Sequence, residues 1–437
     1  MPNTKKKTTS SKKKKGGRKI KQQTPQNPPD VNQVLQQADA ALEASNFEQA
    51  MQLYTYVANV LRNKVETLTN NEEKESNILL LSRVLGKMAE TKVSVGDQVG
   101  AQQDFLEATN LLSGDGSGNN PVAQAQWKEA RASLYLYLGQ LSTSTDALEA
   151  FKRAVTDLTS CVALLEEAVK SNNGDESLQS ALLETRRQLC GAYCSVAELF
   201  LTDLCFDENA EQNCETALQA AMQLDDPQSS PDAVQAMTNL RLSQNRGFEA
   251  VTFMMEAYKR VKVGCEAMSD LVGLGVDNDF EEEKEPIAKE LKGDALEAAN
   301  SLPGFEFRCQ MAKLLLECSS ILEDTSEDAE KRTEQRKYCI ESAIQVLGSL
   351  MAENDEVIET WFLLGCAFSS MEPKNIEASK HYFETTIEML DKVKKCLKQE
   401  MPTEEIKADI DDVKQKLKDV KARLEALTSI EDTAMEE

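Results

Sequence analysis

From Val31 onward the apolar residues recur three and four positions apart, the spacing of one face of an α-helix, and the alternation of a β-strand is almost absent. Breakers come in clusters at 113–121, 171–175, 225–231, 276–286, 301–304 and Pro402, with helix-length segments between them. The pattern predicts an all-α chain. Its last stretch, from Thr403 to about Thr428, carries Ile406, Ile410, Val413, Leu417, Val420, Leu424 and Leu427 four and three apart, a heptad stripe. Thr403 is the expected cap, with Glu404 and Glu405 favourable in the first turn. Such a helix either folds back on Leu390, Val393 and Leu397 to close the end of the fold or pairs with a second copy; the first reading is preferred.

A shorter pattern repeats inside the helices. A small residue is followed four positions later by a larger one at Ala50/Tyr54, Ala101/Phe105, Ala147/Phe151, Ala210/Cys214, Ala250/Met254, Ala343/Leu347 and Ala378/Tyr382. Residues four apart share a helix face, so the small one lets two helices touch while the large one fills the next groove. Ser45-Asn46 and Gly96-Asp97 supply turns before two of these segments, and Trp361-x2-Leu364-Gly365-x2-Phe368 precedes the last. That last pair of segments follows the two halves of the tetratricopeptide pattern, W-x2-L-G-x2-Y and A-x3-F. The expectation is a superhelical solenoid of about seven tetratricopeptide-like hairpins with a C-terminal capping helix. The copies stand mostly further apart than the standard unit of about 34 residues. Inserted loops must take up the excess, and the acidic run 277–285 and the charged run from Glu323 to Arg336 read as two of them.

Charge divides the chain. Residues 1–29 hold ten of the 49 basic residues and none of the 74 acidic ones, so the remaining 408 residues carry a net charge of −35. Rich in Lys, Ser, Thr, Gly and Pro, residues 1–29 cannot bury a core and read as a disordered basic tail. Lys12, Lys13, Lys14, Lys15, Arg18 and Lys19 form a candidate nuclear import signal for an import receptor. The rest divides into a solenoid at 30–400, the capping helix at 401–428 and an acidic tail at 429–437. An acidic body repels nucleic acid and attracts basic proteins. No direct nucleic-acid contact is expected, nor a membrane span, since no run approaches about 18 apolar residues.

Catalytic chemistry finds little to work with. His381 is the single histidine, so any histidine-dependent mechanism would run through it, and it reads as a helix-surface residue. No glycine-rich phosphate loop, metal cluster or activated nucleophile is visible, and neither an enzyme nor a cofactor is expected. The 11 cysteines lack paired spacing; Cys190 and Cys194, with Cys205 and Cys214 downstream, read as packed thiols rather than metal ligands. Trp361 reads as core.

Three stretches are more specific than the repeat. They are Cys190-Gly191-Ala192-Tyr193-Cys194-Ser195-Val196-Ala197-Glu198-Leu199-Phe200-Leu201-Thr202-Asp203-Leu204-Cys205, then Pro303-Gly304-Phe305-Glu306-Phe307-Arg308, then Glu353 through Gly365 with Thr360-Trp361-Phe362-Leu363-Leu364 at its end. Together they resemble the dedicated assembly chaperones of the large-subunit ribosomal protein L-four, a eukaryotic tetratricopeptide family. The similarity covers about residues 30–395 and is strongest from 185. The resemblance implies an array that grips the client's long internal loop and hands it to pre-ribosomes in the nucleus, shuttling from the cytoplasm. The insertion at 277–285 and the region 96–147 depart from what can be matched.

Acidic residues on the first helices of the hairpins are the candidate client contacts: Asp39 and Glu43, Glu198 with Thr202 and Asp203, and Asp355 with Glu359. Glu198 and Asp203 are the strongest candidates, and reversing their charge is expected to weaken binding without changing melting. The alternative is a general tetratricopeptide adaptor or a heat-shock co-chaperone that holds a peptide in a carboxylate clamp. Such a clamp requires Lys and Asn on the opening helix, where this chain has Leu35 and Asp39.

Overall fold

Four of the helices that open a hairpin start on a side chain that caps the free helix end: Asp30, Asn70, Asn120 and Asp175 accept from the amides that follow them. A computed structural model describes residues 30–114, 116, 120–172, 174–224, 230–274, 291–322, 329–399 and 404–436. The basic cluster in 1–29, the acidic run 277–285 and the expected cap Thr403 lie outside the described residues. Among the described residues there are sixteen helices and no strand.

The chain divides into two units, Met1–Leu111 and Leu112–Glu437. In the first, α1 (Val31–Glu43) pairs with α2 (Phe47–Thr67), and α3 (Asn71–Ser94) with α4 (Gln98–Leu111). The turns between partners share one construction. Ser45 and Gly96 take the left-handed conformation, with φ of 57° and 85°. The amides that follow bond back five residues, Asn46 N to Ala41 O at 2.8 Å and Asp97 N to Lys92 O at 2.8 Å. This closing motif uses up carbonyls that a helix end otherwise leaves free. Asn46 and Asp97 then cap the next helix, accepting from the amides of Gln49 (3.3 Å) and Gly100 (2.9 Å).

The second unit holds five further hairpins: α5 (Pro121–Gln140) with α6 (Ser144–Ser171), α7 (Glu176–Leu201) with α8 (Ala210–Leu224), α9 (Asp232–Ser243) with α10 (Gly247–Leu271), α12 (Phe305–Ile321) with α13 (Ala329–Glu353), and α14 (Ile358–Ser370) with α15 (Ile376–Leu397). A short α11 (Asp294–Asn300) lies on α10, and α16 (Glu404–Glu436) lies on α15. The described chain is thus a tetratricopeptide-like solenoid of seven helical hairpins.

Every small-and-large pair read from the sequence is buried, from Ala50 and Tyr54 to Ala378 and Tyr382. Full burial of such a large side chain contributes about 1.5–3 kcal/mol. Two glycines mark close approaches between the helices of a hairpin. A Cβ added at Gly365 would stand 2.6 Å from the Phe383 ring, and one at Gly139 would stand 2.5 Å from that of Phe151.

Two expectations about boundaries are corrected. The charged run before Arg336 is not all loop, because α13 already begins at Ala329. Ala, Glu, Lys, Arg and Gln are good helix formers whether or not they face water, so charge density alone does not predict a loop. Arg336 is buried and pairs with Glu372 at 3.1 Å. The second correction concerns the end of the chain. Helix α16 continues through the stretch expected to be an acidic tail, because no Gly or Pro stops it after Thr428. Its stripe residues Val413, Leu417, Val420 and Leu427 are buried with Phe383 and Leu390, whereas Val393 is exposed.

Candidate binding surfaces

The three stretches that carry the resemblance turn out to be largely structural. In α7, Ala192, Val196, Ala197 and Phe200 are buried, and the Cys190 thiol donates to the Ala221 carbonyl at 3.5 Å. Arg308 is buried and binds three partners: the Pro303 carbonyl at 2.8 Å, the Ser349 hydroxyl at 2.8 Å, and the Glu353 carboxylate. It thereby ties the start of α12 to the end of α13. Trp361 is half-buried rather than full core. Its ring lies against Tyr382 at 5.6 Å and edge-on to the exposed His381 at 6.4 Å, while Nε1 donates to the Asp355 carbonyl at 2.7 Å.

The seven candidate contacts separate by what each already binds. Asp39 is half-buried and accepts the Tyr54 hydroxyl at 2.6 Å. Burial and then Asp39 push the Tyr54 phenol well above its ordinary range, with Glu90 and Glu43 adding to the effect. Asp39, Glu43 and Glu90 therefore form an acidic group around Tyr54, and Lys87 partly offsets it by pairing with Glu90 at 2.8 Å. Helix α7 ends at Leu201, so Thr202 and Asp203 lie beyond it rather than on its face. The Thr202 hydroxyl donates to the Glu198 carbonyl at 2.8 Å. Asp203 reaches across to α6 and accepts the Ser144 amide at 3.0 Å. Thr143, in the capping position of α6, makes no side-chain cap bond, so Asp203 supplies the cap from the neighbouring hairpin.

Asp355 and Glu359 do not share a helix face either, because α14 starts at Ile358. Glu359 is held by α12, pairing with Lys313 at 2.8 Å and accepting the Cys309 thiol at 3.6 Å. The same bond raises the proton affinity of Lys313. Among the described residues, Glu43, Glu198 and Asp355 are the candidates whose exposed carboxylates have no side-chain partner.

Further acidic positions were not singled out from the sequence. Glu129 on α5 faces Gln188 and Glu184 of α7. Burial pushes its carboxyl up, a Gln188 hydrogen bond opposes this, and the Glu184 charge adds to it. Along α8 runs an open groove of about 450 Å³ lined by Glu208, Asn209, Glu211, Gln212, Glu215, Thr216 and Gln219. Glu211 accepts from Gln244 at 2.8 Å and Glu215 pairs with Arg241 at 3.0 Å. A sequence signal for this region exists: from Gln188 to Leu240 the chain holds nine carboxylates and no Lys or Arg.

All eleven cysteines are free thiols. Burial pushes Cys161 and Cys214 up to about 11 and Cys339 up to about 12, which keeps them protonated and inert. Cys205 departs from the packed reading and is exposed on the α7–α8 turn. Among the described residues no group of His, Cys, Asp and Glu is arranged to hold a metal ion, and no helix is long and apolar enough to cross a membrane. What the surface offers chemically is a set of carboxylates ready to accept cationic side chains.

No protein-family model matches the chain. A curated protein of Schizosaccharomyces pombe (strain 972 / ATCC 24843), named "Probable assembly chaperone of rpl4", is 26% identical over 235 residues, covering 53% of this chain and 50% of that protein. The chain therefore spans about half the length of this curated relative. Among solved structures, the assembly chaperone of RpL4 (Acl4), residues 1–338, superposes with a TM-score of 0.52 at 21% identity, over 80% of this chain and 100% of that one. BtubC (BKLC) from P. vanneervenii superposes with a TM-score of 0.35 at 12% identity, over 69% and 90%. In sequence, over about half its length, the chain is similar to a probable assembly chaperone of rpl4, and in fold it is similar to Acl4.

Proposed function

We propose that this chain is a non-catalytic, dedicated chaperone of a newly made basic large-subunit ribosomal protein of the L-four type. Its carboxylate-rich surface holds the client's long internal loop, suppresses aggregation, and releases the client to pre-ribosomes in the nucleus. The observation that carries this reading is the likeness to a probable assembly chaperone of rpl4. The charge supports it: residues 30–437 carry a net −35, and Glu43, Glu198 and Asp355 present unpaired carboxylates on or beside first helices. A ribosomal protein is built to be neutralised by RNA, and an acidic surface takes the place of that RNA until hand-over. Binding of this kind forms fast and weakens as salt screens it. The basic cluster Lys12–Lys15 with Arg18 and Lys19 serves as the import signal, so the protein moves between cytoplasm and nucleus. Against the carboxylate-clamp alternative, Leu35 is half-buried and Asp39 is engaged by Tyr54.

The test is calorimetric titration of the purified full chain with an L-four-type ribosomal protein at low and at moderate salt, with a histone as a basic control. A one-to-one complex that weakens with salt and is tighter than the histone complex is expected. Absence of binding at low salt, or equal affinity for the histone, would refute the dedicated-chaperone reading. For import, a fluorescent reporter carrying residues 1–29 should enter the nucleus, and one with the six basic residues changed to Ala should not.

A further inference from the structure

The turn between α7 and α8 holds a phenylalanine in water. Phe206 is 98% exposed, whereas Leu204, two residues earlier, is buried with Val196, Phe200, Ala210 and Met237. The ring is not out because the loop is slack. Leu204 N bonds to Leu199 O at 2.8 Å, Cys205 N to Thr202 O at 3.3 Å, Asp207 N to Leu204 O at 3.1 Å and Ala210 N to Asp207 O at 3.0 Å. Asp203 pins the same turn to α6. With Leu204 fixed inward and the backbone bonded on both sides, Phe206 is directed outward by construction. Another exposed aromatic, Phe248, is covered by the Arg332 guanidinium at 4.6 Å. Phe206 has no ring or cation against it among the described residues.

The ring's collar is acidic. Asp207 and Glu208 follow it, both exposed and without an ion pair among the described residues, and the groove along α8 begins at Glu208. Nearby sequence brings no cation, since Lys and Arg are absent from Gln188 to Leu240. A preorganised aromatic side chain ringed by carboxylates fits a protein surface that offers an apolar recess rimmed by Lys or Arg. It disfavours nucleic acid, whose phosphates meet the carboxylates first.

We propose that Phe206 is the apolar anchor by which this chain holds its basic client, an inference that rests on the chaperone reading above. The ring enters a recess of the client and Asp207 and Glu208 pair with the basic residues at its rim. The two parts do different work. Carboxylates set the rate of encounter and its salt dependence, whereas a buried aromatic anchor sets how long the complex lasts.

Binding of the L-four-type ribosomal protein is measured by surface plasmon resonance across a salt series for the wild type, Phe206→Ala, Phe206→Leu and the double variant Asp207→Asn/Glu208→Gln. Phe206→Ala should weaken binding at least about tenfold, mainly through faster dissociation and with an unchanged salt slope. Phe206→Leu should recover part of the loss. The double variant should instead slow association and flatten the salt slope. Because Phe206 packs against nothing, circular dichroism and melting of Phe206→Ala should match the wild type. Wild-type binding with Phe206→Ala equally tight would overturn the anchor and leave the chaperone reading standing. A wild type that binds no client at low salt would overturn both. Sedimentation velocity covers the other occupant: a wild-type dimer lost in Phe206→Ala would show that a second copy of this chain takes the ring, which also overturns the proposal.

Discussion

Replacing Asp203 by Ala removes the acceptor that caps α6 from the neighbouring hairpin. The Ser144 amide, 3.0 Å from that carboxylate, lies in a residue with φ of 52°, a left-handed conformation that costs a non-glycine residue roughly 1 kcal/mol. Without Asp203, no side chain caps α6, since Thr143 makes no cap bond. Loss of an N-cap costs about 0.5–2 kcal/mol, typically about 1, and a carboxylate at a helix N-terminus adds roughly 0.3–1 through the helix dipole. Asp203→Ala should therefore lose about 1–2 kcal/mol, concentrated in the first turn of α6. Asp203→Asn keeps an acceptor oxygen and gives up only the charge, so it should lose about 0.3–1 kcal/mol. A solenoid opens locally, so the assay is hydrogen exchange read by mass spectrometry on peptides spanning 143–150, alongside a global melt. Exchange there should speed up about fivefold to thirtyfold in Asp203→Ala and less in Asp203→Asn, with α12–α15 peptides unchanged. Unchanged exchange in Asp203→Ala would refute the capping role. Client binding lost equally in both variants, with exchange intact, would restore Asp203 as a direct charge contact.

Two further predictions follow from packing and burial. Gly365→Ala should destabilise the α14–α15 hairpin by about 1–3 kcal/mol, because the new Cβ would stand 2.6 Å from the Phe383 ring; an unchanged urea midpoint would refute the close packing. Glu129→Gln should stabilise the protein at neutral pH, because burial and Glu184 hold the folded carboxyl above its unfolded value, so ionisation costs folding free energy. That benefit should fade as the pH falls through the raised folded value towards the ordinary carboxylate range, and melting curves of both proteins from pH 3 to 8 measure it. A variant less stable at neutral pH would contradict the cause assigned.

Much of the fold could be read along the chain because helical hairpins stack on near neighbours. Ala101 with Phe105 or Ala378 with Tyr382 declares a buried contact within a single turn of helix, and Ser45-Asn46 and Gly96-Asp97 declare their turns by residue type. The boundary of α13 was harder to read, since Glu, Lys and Arg suit both a loop and an exposed helix turn. Site residues were less legible still. Asp39, Asp203 and Glu359 look like solvated acids in sequence, and each has its partner on another helix, at Tyr54, Ser144 and Lys313.

The sequence by itself determined the helical class, the hairpin count and the sign of the surface, because periodicity, turn chemistry and net charge are local or additive properties. Only the tertiary structure decided which carboxylates are spent and which remain for a partner, and that Phe206 stands in water beside a buried Leu204. Whether a charge is neutralised or a ring is covered depends on groups brought within a few ångströms by packing, and residues 59 apart, as Ser144 and Asp203 are, leave no local mark of their meeting.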